Sequence, residues 1–117
     1  QPAYAGVSLG LLHGSQPDAL VVCHDPCREQ TIGCPGHKPA TVQACIQANV
    51  QLARLTNPAV RCVGVSVNTS GLSAEQRQGL LQQLHHDTGL PCVDPLIEGV
   101  DPIIDQLLQA APVTVVA

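Results

Sequence analysis

The stretch that decides the fold is RCVGVSV, residues 61–67, a short run of small and β-branched residues with turn-forming sequence on both sides. A run of this kind is typical of a strand that is buried on both faces, because it lacks the polar alternation of a strand with one face in water. Two similar runs flank it along the chain, ALVVC at 19–23 and PCVDPLI at 91–97. The sequence therefore predicts three buried strands.

Amphipathic helices are predicted in the two intervals between these strands. In the first interval, Thr41 is a candidate N-cap, and apolar residues recur at helical spacing over residues 42–53. In the second interval, Ser73 and Gln76 form a capping-box pattern, and Gly89 suits the left-handed position that ends a helix. Each pair of neighbouring strands is thus expected to be joined through one helix.

Further elements are predicted towards both ends of the chain. Asp101 followed by Pro102 is typical of an N-cap and the first position of a helix. The residues expected to face inward from that helix are Ile103, Ile104, Leu107 and Leu108. Residues 5–12 are small and apolar and predict another helix, whose glycines would permit close packing. The final run APVTVVA, residues 111–117, is interpreted as an extra edge strand or a frayed end.

Strands that alternate with single helices indicate β-α-β crossovers, so the predicted fold class is α/β, a parallel sheet flanked by helices in three layers. Three strands make a thin sheet with two open edges, and we expect additional strands from an upstream segment or from a partner chain in a homo-oligomer. The chain begins with Gln1 and contains no Met. Residues 1–117 are therefore interpreted as a single partial domain.

Charge and composition argue against two classes of partner. The chain has five Lys and Arg against nine Asp and Glu, and this balance favours neither nucleic acid nor an anionic membrane surface as a partner. No apolar run approaches the roughly 18 residues of a membrane span. Six cysteines in a chain that is 44% hydrophobic do not require disulfides for stability, so we expect a reducing, cytoplasmic location.

The stretch at 21–39, VVCHDPCREQTIGCPGHKP, is rich in groups that bind metals. A metal site, a set of disulfides and an active-site loop are the three possible interpretations. Zinc would need Cys23, Cys27, Cys34 and His37, but only the last two show the close spacing that is typical of structural zinc sites. We expect no structural zinc and interpret the stretch as an active-site loop.

Candidate catalytic residues follow the first predicted strand. His24 and Asp25 leave that strand at its carboxyl end, where loops of a parallel sheet converge, and an imidazole can move protons near neutral pH. His13 is a second candidate base, although a histidine at the end of a helix also has a structural explanation. The planar fork of Arg28 suits bidentate contact with a substrate carboxylate.

A second candidate site, NTSG at residues 68–71, follows the second strand. The amide and hydroxyl groups of Asn68, Thr69 and Ser70 can hydrogen-bond a nucleotide, although the same residue types commonly form turns. The sequence contains no phosphate-loop motif, and Lys38 is its only lysine. A phosphate-binding loop would have to come from elsewhere in the protein.

The segments GLLHGS, CHDP and NTS, at residues 10–15, 23–26 and 68–70, carry a family resemblance that extends over nearly the whole chain. The chain resembles the carboxy-terminal part of the DUF1611 family, P-loop proteins related to dethiobiotin synthetase, some of which are implicated as D-glutamate N-acetyltransferases. The resemblance implies the C-terminal half of a P-loop NTPase-like, Rossmann-like domain. It also implies that the upstream, N-terminal part of the same protein supplies the phosphate loop.

The resemblance implies a nucleotide pocket beside Asn68, with Pro95 of the CVDP turn close to it. The adenosine part of acetyl-CoA would occupy this pocket in an acetyltransferase acting on a small acidic amino acid, with His24 as base and Arg28 on the substrate carboxylate. One alternative is an ATP- or GTP-dependent ligase or kinase, in which Asp25 assists a magnesium ion. Another is a noncatalytic nucleotide-binding module.

Overall fold

A computed structural model describes residues 5–109, in which three parallel strands form one sheet in the order β1-β2-β3. The strands are β1 Ala19–His24, β2 Arg61–Val67 and β3 Cys92–Val93. The helices are α1 Ala5–Ser15, α2 Val42–Ala53, α3 Ala74–Thr88, α4 Pro95–Glu98 and α5 Asp101–Leu108. Because α2 separates β1 from β2 and α3 separates β2 from β3, the predicted α/β class with a parallel, helix-flanked sheet is confirmed.

The central strand β2 is covered on both faces. Val65 and Val67 belong to the larger core cluster, between the sheet and helices α2 and α3. The members of that cluster are Val42, Val65, Val67, Leu81, Leu84 and Cys92. A smaller cluster of Val63, Val93 and Ile103 lies under α5. Burial on two faces explains why the sequence of β2 is apolar without a break.

A β-bulge interrupts the pairing of β1 with β2. The partners of Leu20 and Val21 lie two residues apart on β2, which leaves Val63 as an extra residue between them. Val63 packs against Ile103, and a Cβ built on Gly64 would lie 2.7 Å from Cγ1 of that same isoleucine. Both bulge residues therefore face α5.

Local capping chemistry sets the bounds of the two connecting helices as predicted. The Thr41 hydroxyl accepts a hydrogen bond from the Ala44 amide at 3.1 Å. Ser73 and Gln76 form a complete capping box, with bonds of 3.2 and 3.0 Å between the side chain of each and the backbone amide of the other. Gly89 ends α3 with φ of 69°, a left-handed conformation that glycine adopts without steric penalty.

The third predicted strand, at 91–97, is wrong in its length. Only Cys92–Val93 pairs with β2. The chain then turns, because the Asp94 side chain accepts a hydrogen bond from the Leu96 amide at 3.1 Å and caps α4, with Pro95 in the first turn. A capping carboxylate followed by proline favours the start of a helix over continuation of a strand.

The prediction for the last helix is correct in position and wrong in detail. Its N-cap is Val100, without a side-chain hydrogen bond, and Asp101 lies inside the first turn. Only Ile103 of the four residues expected to face inward is buried. The others, Ile104, Leu107 and Leu108, are exposed. The predicted element at residues 111–117 lies outside the described residues.

Helix α1 confirms the helix predicted over residues 5–12 and continues to Ser15. Its glycines do not serve close packing, because a Cβ at Gly6, Gly10 or Gly14 would meet nothing within 4 Å. Within residues 5–109, no helix has both the length and the apolar character needed to cross a membrane.

Candidate functional site

The carboxyl ends of the three strands lie at one edge of the sheet, and polar residues follow each of them. His24 ends β1, while Asn68 and Asp94 directly follow β2 and β3. The Asn68 amide donates a hydrogen bond to the His24 carbonyl at 2.9 Å, which joins the first two loops. Ligands of open parallel sheets bind at this edge, because the loops that follow the strands converge there.

Asp25 organises the loop that leaves β1. Its Oδ1 accepts a hydrogen bond from the Cys27 amide at 3.1 Å, and its Oδ2 lies 3.8 Å from Nη2 of Arg28. Both charged side chains are partly exposed, at 30% and 42%, so the ion pair contributes at most about 1 kcal/mol to stability. Its main consequence is orientation, since it keeps a carboxylate and a guanidinium side by side next to His24.

His24 is half-buried at the carboxyl end of the outer strand β1. Burial lowers the pKa of its imidazole below the ordinary value of 6.5, and the nearby Asp25 carboxylate opposes that shift. The neutral imidazole is therefore the predominant form at neutral pH. A neutral imidazole can accept a proton from a substrate, which is the property required of a general base.

The loop after Arg28 folds back towards the same edge. The Thr31 amide donates to the His37 carbonyl at 2.8 Å, and the His37 amide donates to the Cys34 carbonyl at 3.2 Å. Thr31 is buried, whereas Lys38, the next residue after His37, is exposed. These backbone bonds close the loop and return the chain to the start of α2.

Three adjoining cavities share His24, Asp25 and Arg28. The first, which we name the β1–α2 pocket, has a volume of about 340 Å³ and also includes Thr31 and Lys38. The second, the β1–β3 pocket, has a volume of about 410 Å³. Its additional polar and loop residues are Ser66, Asn68, Asp94 and Pro95. The third cavity, of about 670 Å³, also includes Lys38 and adds Glu29. His24 thus lies where the three cavities meet.

The loop after β2 is held by its own turn and by two hydrogen bonds to Asp94, the residue that follows β3. Oδ1 of Asn68 accepts from the Ser70 amide at 3.2 Å, and both residues are exposed. Thr69 is only 1% exposed, and both its amide and its hydroxyl donate to Oδ2 of Asp94, at 3.0 and 2.5 Å. Asn68 and Ser70 therefore face solvent, while Thr69 fixes the loop between them.

Sequence reasoning missed Asp94. It is buried, and hydrogen bonds to its carboxylate lower its pKa, first the bond from the Thr69 hydroxyl and then the bonds from the Thr69 and Leu96 amides, with burial opposing them. A signal was present in the sequence, because Asp-Pro follows β3 just as Asp25 and Pro26 follow β1. An aspartate at the carboxyl end of a strand that also caps a helix is well placed to order a ligand-binding edge.

The structure does not bring His13 to this edge. Its Nε2 lies 2.8 Å from the carbonyl oxygen of Leu52, near the end of α2. Asn57, which follows α2, bonds to Pro17 and Asp18 just before β1 begins. His13 therefore lies at the amino end of the sheet, separated from His24 by the length of β1.

The sulfur-rich stretch forms no metal-binding cluster in the part of the chain that the structure describes, because no three His, Cys, Asp or Glu residues are grouped to hold an ion. All six cysteines are free. Burial raises the pKa of the Cys62 and Cys92 thiols, so these two are poor nucleophiles. Cys27 instead packs against the loop after β2, since a Cβ on Gly71 would lie 2.7 Å from its Sγ.

Comparison with known families identifies this arrangement. A family model described as "Domain of unknown function (DUF1611_C) P-loop domain" matches residues 1–104. The chain belongs to the DUF1611 family. Membership confirms the family resemblance drawn from the segments around His13, His24 and Asn68.

Two curated relatives of this DUF1611 chain are named D-glutamate N-acetyltransferase. The relative from a Pseudoalteromonas species is 51% identical over 106 residues, which is 91% of this chain and 32% of the relative. The relative from Tritonibacter scottomollicae is 36% identical over 105 residues, covering 90% of this chain and 32% of the relative. The chain thus spans about a third of the length of the curated relatives it matches.

The fold of the DUF1611 chain also matches a solved structure. The crystal structure of a DUF1611 family protein from Anabaena variabilis superimposes with a TM-score of 0.79 at 27% identity. The match covers 88% of this chain and 31% of that protein. The α/β architecture described above is therefore that of a Rossmann-like fragment within a larger family fold.

Proposed function

We propose that the intact protein that contains this chain transfers an acetyl group from acetyl-CoA to the amino group of a small acidic amino acid, with D-glutamate as the first candidate acceptor. The names of the two curated relatives support this assignment. The observation that carries it is the position of His24, whose imidazole lines two adjoining cavities and has a lowered pKa. One cavity can hold the acceptor and the other part of the acyl donor.

In this proposal His24 acts as the general base. An amino acid carries an ammonium group near neutral pH, and that group must lose a proton before its nitrogen can attack a carbonyl carbon. His24 accepts this proton, and Asp25 holds the ammonium beside it. Acetyl-CoA supplies an electrophilic thioester carbonyl: the C–N bond forms, the C–S bond breaks, and the displaced thiolate takes up the second proton that the nitrogen loses as it becomes an amide.

Arg28 binds a carboxylate of the acceptor. Its contact with Asp25, at 3.8 Å, is longer than a charge-assisted hydrogen bond and uses one nitrogen of the guanidinium. Arg28 lines both cavities, so the other N–H groups of its guanidinium can reach a ligand bound there. A carboxylate bound there would be adjacent to His24.

The β1–β3 pocket is proposed to hold the nucleotide part of the donor. Asn68 presents an exposed side-chain amide at its rim, Pro95 offers an apolar surface, and exposed Ser70 follows in the same loop. Thr69 contributes by fixing this loop through Asp94. We propose that the phosphate loop comes from the part of the protein outside this chain, in a cytoplasmic setting that suits six free thiols.

The test is acetyl-CoA-dependent loss of the free amine of D-glutamate, measured with the intact protein. Replacing His24 with Gln should lower kcat by about 100-fold or more, the contribution typical of a general base. The matched control is His86→Gln, on the exposed face of α3 away from both cavities. Failure of the wild-type protein to acetylate acidic amino acids of either hand would refute the proposal.

The P-loop description of the family favours one second candidate, an ATP- or GTP-dependent ligase or kinase. In that reaction Asp25 would assist a magnesium ion at the edge of the sheet instead of holding an ammonium group. Release of inorganic phosphate from ATP or GTP that depends on the acidic substrate would support this candidate. Coenzyme A release without nucleotide consumption would support the acetyltransferase.

A further inference from the structure

Positive charge is concentrated in the β1–α2 pocket. The whole sequence has five Lys and Arg against nine Asp and Glu, yet Arg28 and Lys38 both line this cavity, and Glu29 lies in the adjoining one that the two cations also line. Among the residues described for it, Asp25 is the only carboxylate in the lining. A cavity with excess positive charge in a chain with net negative charge favours an anionic ligand.

Lys38 lies at this pocket and has no ion-pair partner among the residues that the structure describes. The backbone bond between Thr31 and His37, at 2.8 Å, fixes the residue that precedes it. Within residues 5–109, no carboxylate lies within ion-pairing distance of its ammonium group. The first turn of α2 begins at Val42, which lines the same cavity, and its free backbone N–H groups add to the positive potential.

We propose that Lys38 determines acceptor specificity by binding the side-chain carboxylate of a dicarboxylic amino acid, while Arg28 binds its α-carboxylate. This inference rests on the proposed function and adds to it the residue that distinguishes acidic acceptors from neutral ones. An acidic amino acid has two carboxylates and one ammonium group. The pocket has the complementary set, the cations Arg28 and Lys38 and the carboxylate of Asp25, beside the neutral imidazole of His24.

The size of the cavity agrees with an acceptor of this class. About 340 Å³ is at the lower end of the roughly 300 to 1,000 Å³ typical of small-molecule pockets. Discrimination follows from charge: a neutral side-chain amide leaves the Lys38 ammonium unpaired on binding, whereas a carboxylate pairs with it. An acceptor with only an α-carboxylate gains no binding energy from Lys38.

The experiment compares D-glutamate with its neutral isostere D-glutamine as acceptors for the intact protein. Lys38→Gln should lower kcat/KM for glutamate by about 10- to 100-fold, the range expected for loss of a charged hydrogen bond. The value for glutamine should change less than about 3-fold, and Lys38→Arg should retain the preference for glutamate. The matched control is Arg54→Gln, which removes the same charge at the far end of α2.

Binding of glutarate by calorimetry without any acyl donor gives a readout independent of catalysis. Lys38→Gln should weaken glutarate binding by about 10-fold or more and leave butyrate binding unchanged. Glutarate binding that depends on Lys38 in a protein that transfers no acetyl group would support the pocket and refute the proposed function. Acetyl transfer in which Lys38→Gln leaves the glutamate-to-glutamine preference intact would refute only the role of Lys38.

Discussion

Asp94 accepts two hydrogen bonds from Thr69, one from its hydroxyl at 2.5 Å and one from its backbone amide at 3.0 Å. Both residues are almost fully buried, at 4% and 1% exposure. The Leu96 amide donates a third hydrogen bond to the Asp94 carboxylate, at 3.1 Å. A single carboxylate thus joins the loop after β2 to the start of α4, which makes it the principal polar contact behind the candidate site.

Asp94→Asn should destabilise the fold. An amide has one acceptor oxygen, so at least one of the three donors around Asp94 would lose its bond, and the free energy of unfolding at pH 7 should fall by about 1 to 3 kcal/mol. Chemical denaturation measures this change. The control Asp105→Asn, on an exposed face of α5, should change stability by less than about 0.5 kcal/mol.

The same substitution should alter the pH dependence of stability. The pKa of Asp94 in the folded protein lies below its ordinary value of 3.8, so the unfolded chain takes up a proton first as the pH falls. The stabilising contribution is therefore complete above about pH 5 and is lost as the pH falls through the folded-state pKa. Asp94→Asn should flatten the unfolding free energy below pH 4, and an unchanged slope would contradict the assignment.

His24 should set the acid limb of the pH–activity profile. Its pKa lies below 6.5 because of burial, with Asp25 opposing the shift, and the base is active only when neutral. The value of kcat/KM should therefore decline as the pH falls through a pKa lower than 6.5. Asp25→Asn removes the opposing charge, so the acid limb should move to lower pH. A shift to higher pH would exclude this electrostatic coupling.

Gly64→Ala should push α5 away from the sheet and destabilise the fold. The added Cβ would lie 2.7 Å from Cγ1 of Ile103 and 3.2 Å from the Pro91 carbonyl oxygen, and the second contact is with backbone that cannot rotate away. We expect a loss of about 1 to 3 kcal/mol in the free energy of unfolding. Gly79→Ala on α3, where nothing lies within 4 Å, should instead stabilise by up to about 1 kcal/mol.

Gly71→Ala should disturb the loop that follows His24, and Cys27→Ala should reverse the effect. The new Cβ would lie 2.7 Å from Sγ of Cys27 but 3.6 Å from its Cβ, so removal of the sulfur leaves an ordinary contact. A double-mutant cycle on kcat/KM and on stability measures the coupling. Additive effects of the two substitutions would show that the two loops do not touch in solution.

Elements with local chemical signals were predicted well from the sequence. Thr41, the Ser73 and Gln76 pair, and Gly89 act on backbone groups within a few residues, and the structure confirms each of them. The length of β3 was misjudged although a local signal was present, because Asp94 followed by Pro95 is itself a helix start. What the sequence did not indicate is the second bond of that carboxylate, to Thr69, 25 residues earlier in the chain.

The candidate site likewise combines features that the sequence predicts with features that depend on contacts distant in the chain. The positions of His24 and Asn68 at one edge follow from parallel topology, which the alternation of strands and helices already indicated. The separation of His13 from that edge depends on how α1 packs on α2, through contacts such as that with Leu52. Lys38 stood out only as the single lysine, because its place beside Arg28 depends on the backbone bonds of the intervening loop.

The extra residue at Val63 has a further effect on the middle strand. Side chains of a regular strand point alternately to the two faces of a sheet, whereas Val63 and Gly64 are consecutive residues that both face α5. Regular alternation of the same sequence from Val63 onward would turn Val65 and Val67 away from α2 and α3, and Asn68 would leave the sheet on the opposite side. The bulge thus decides which surface the amide of the β1–β3 pocket serves.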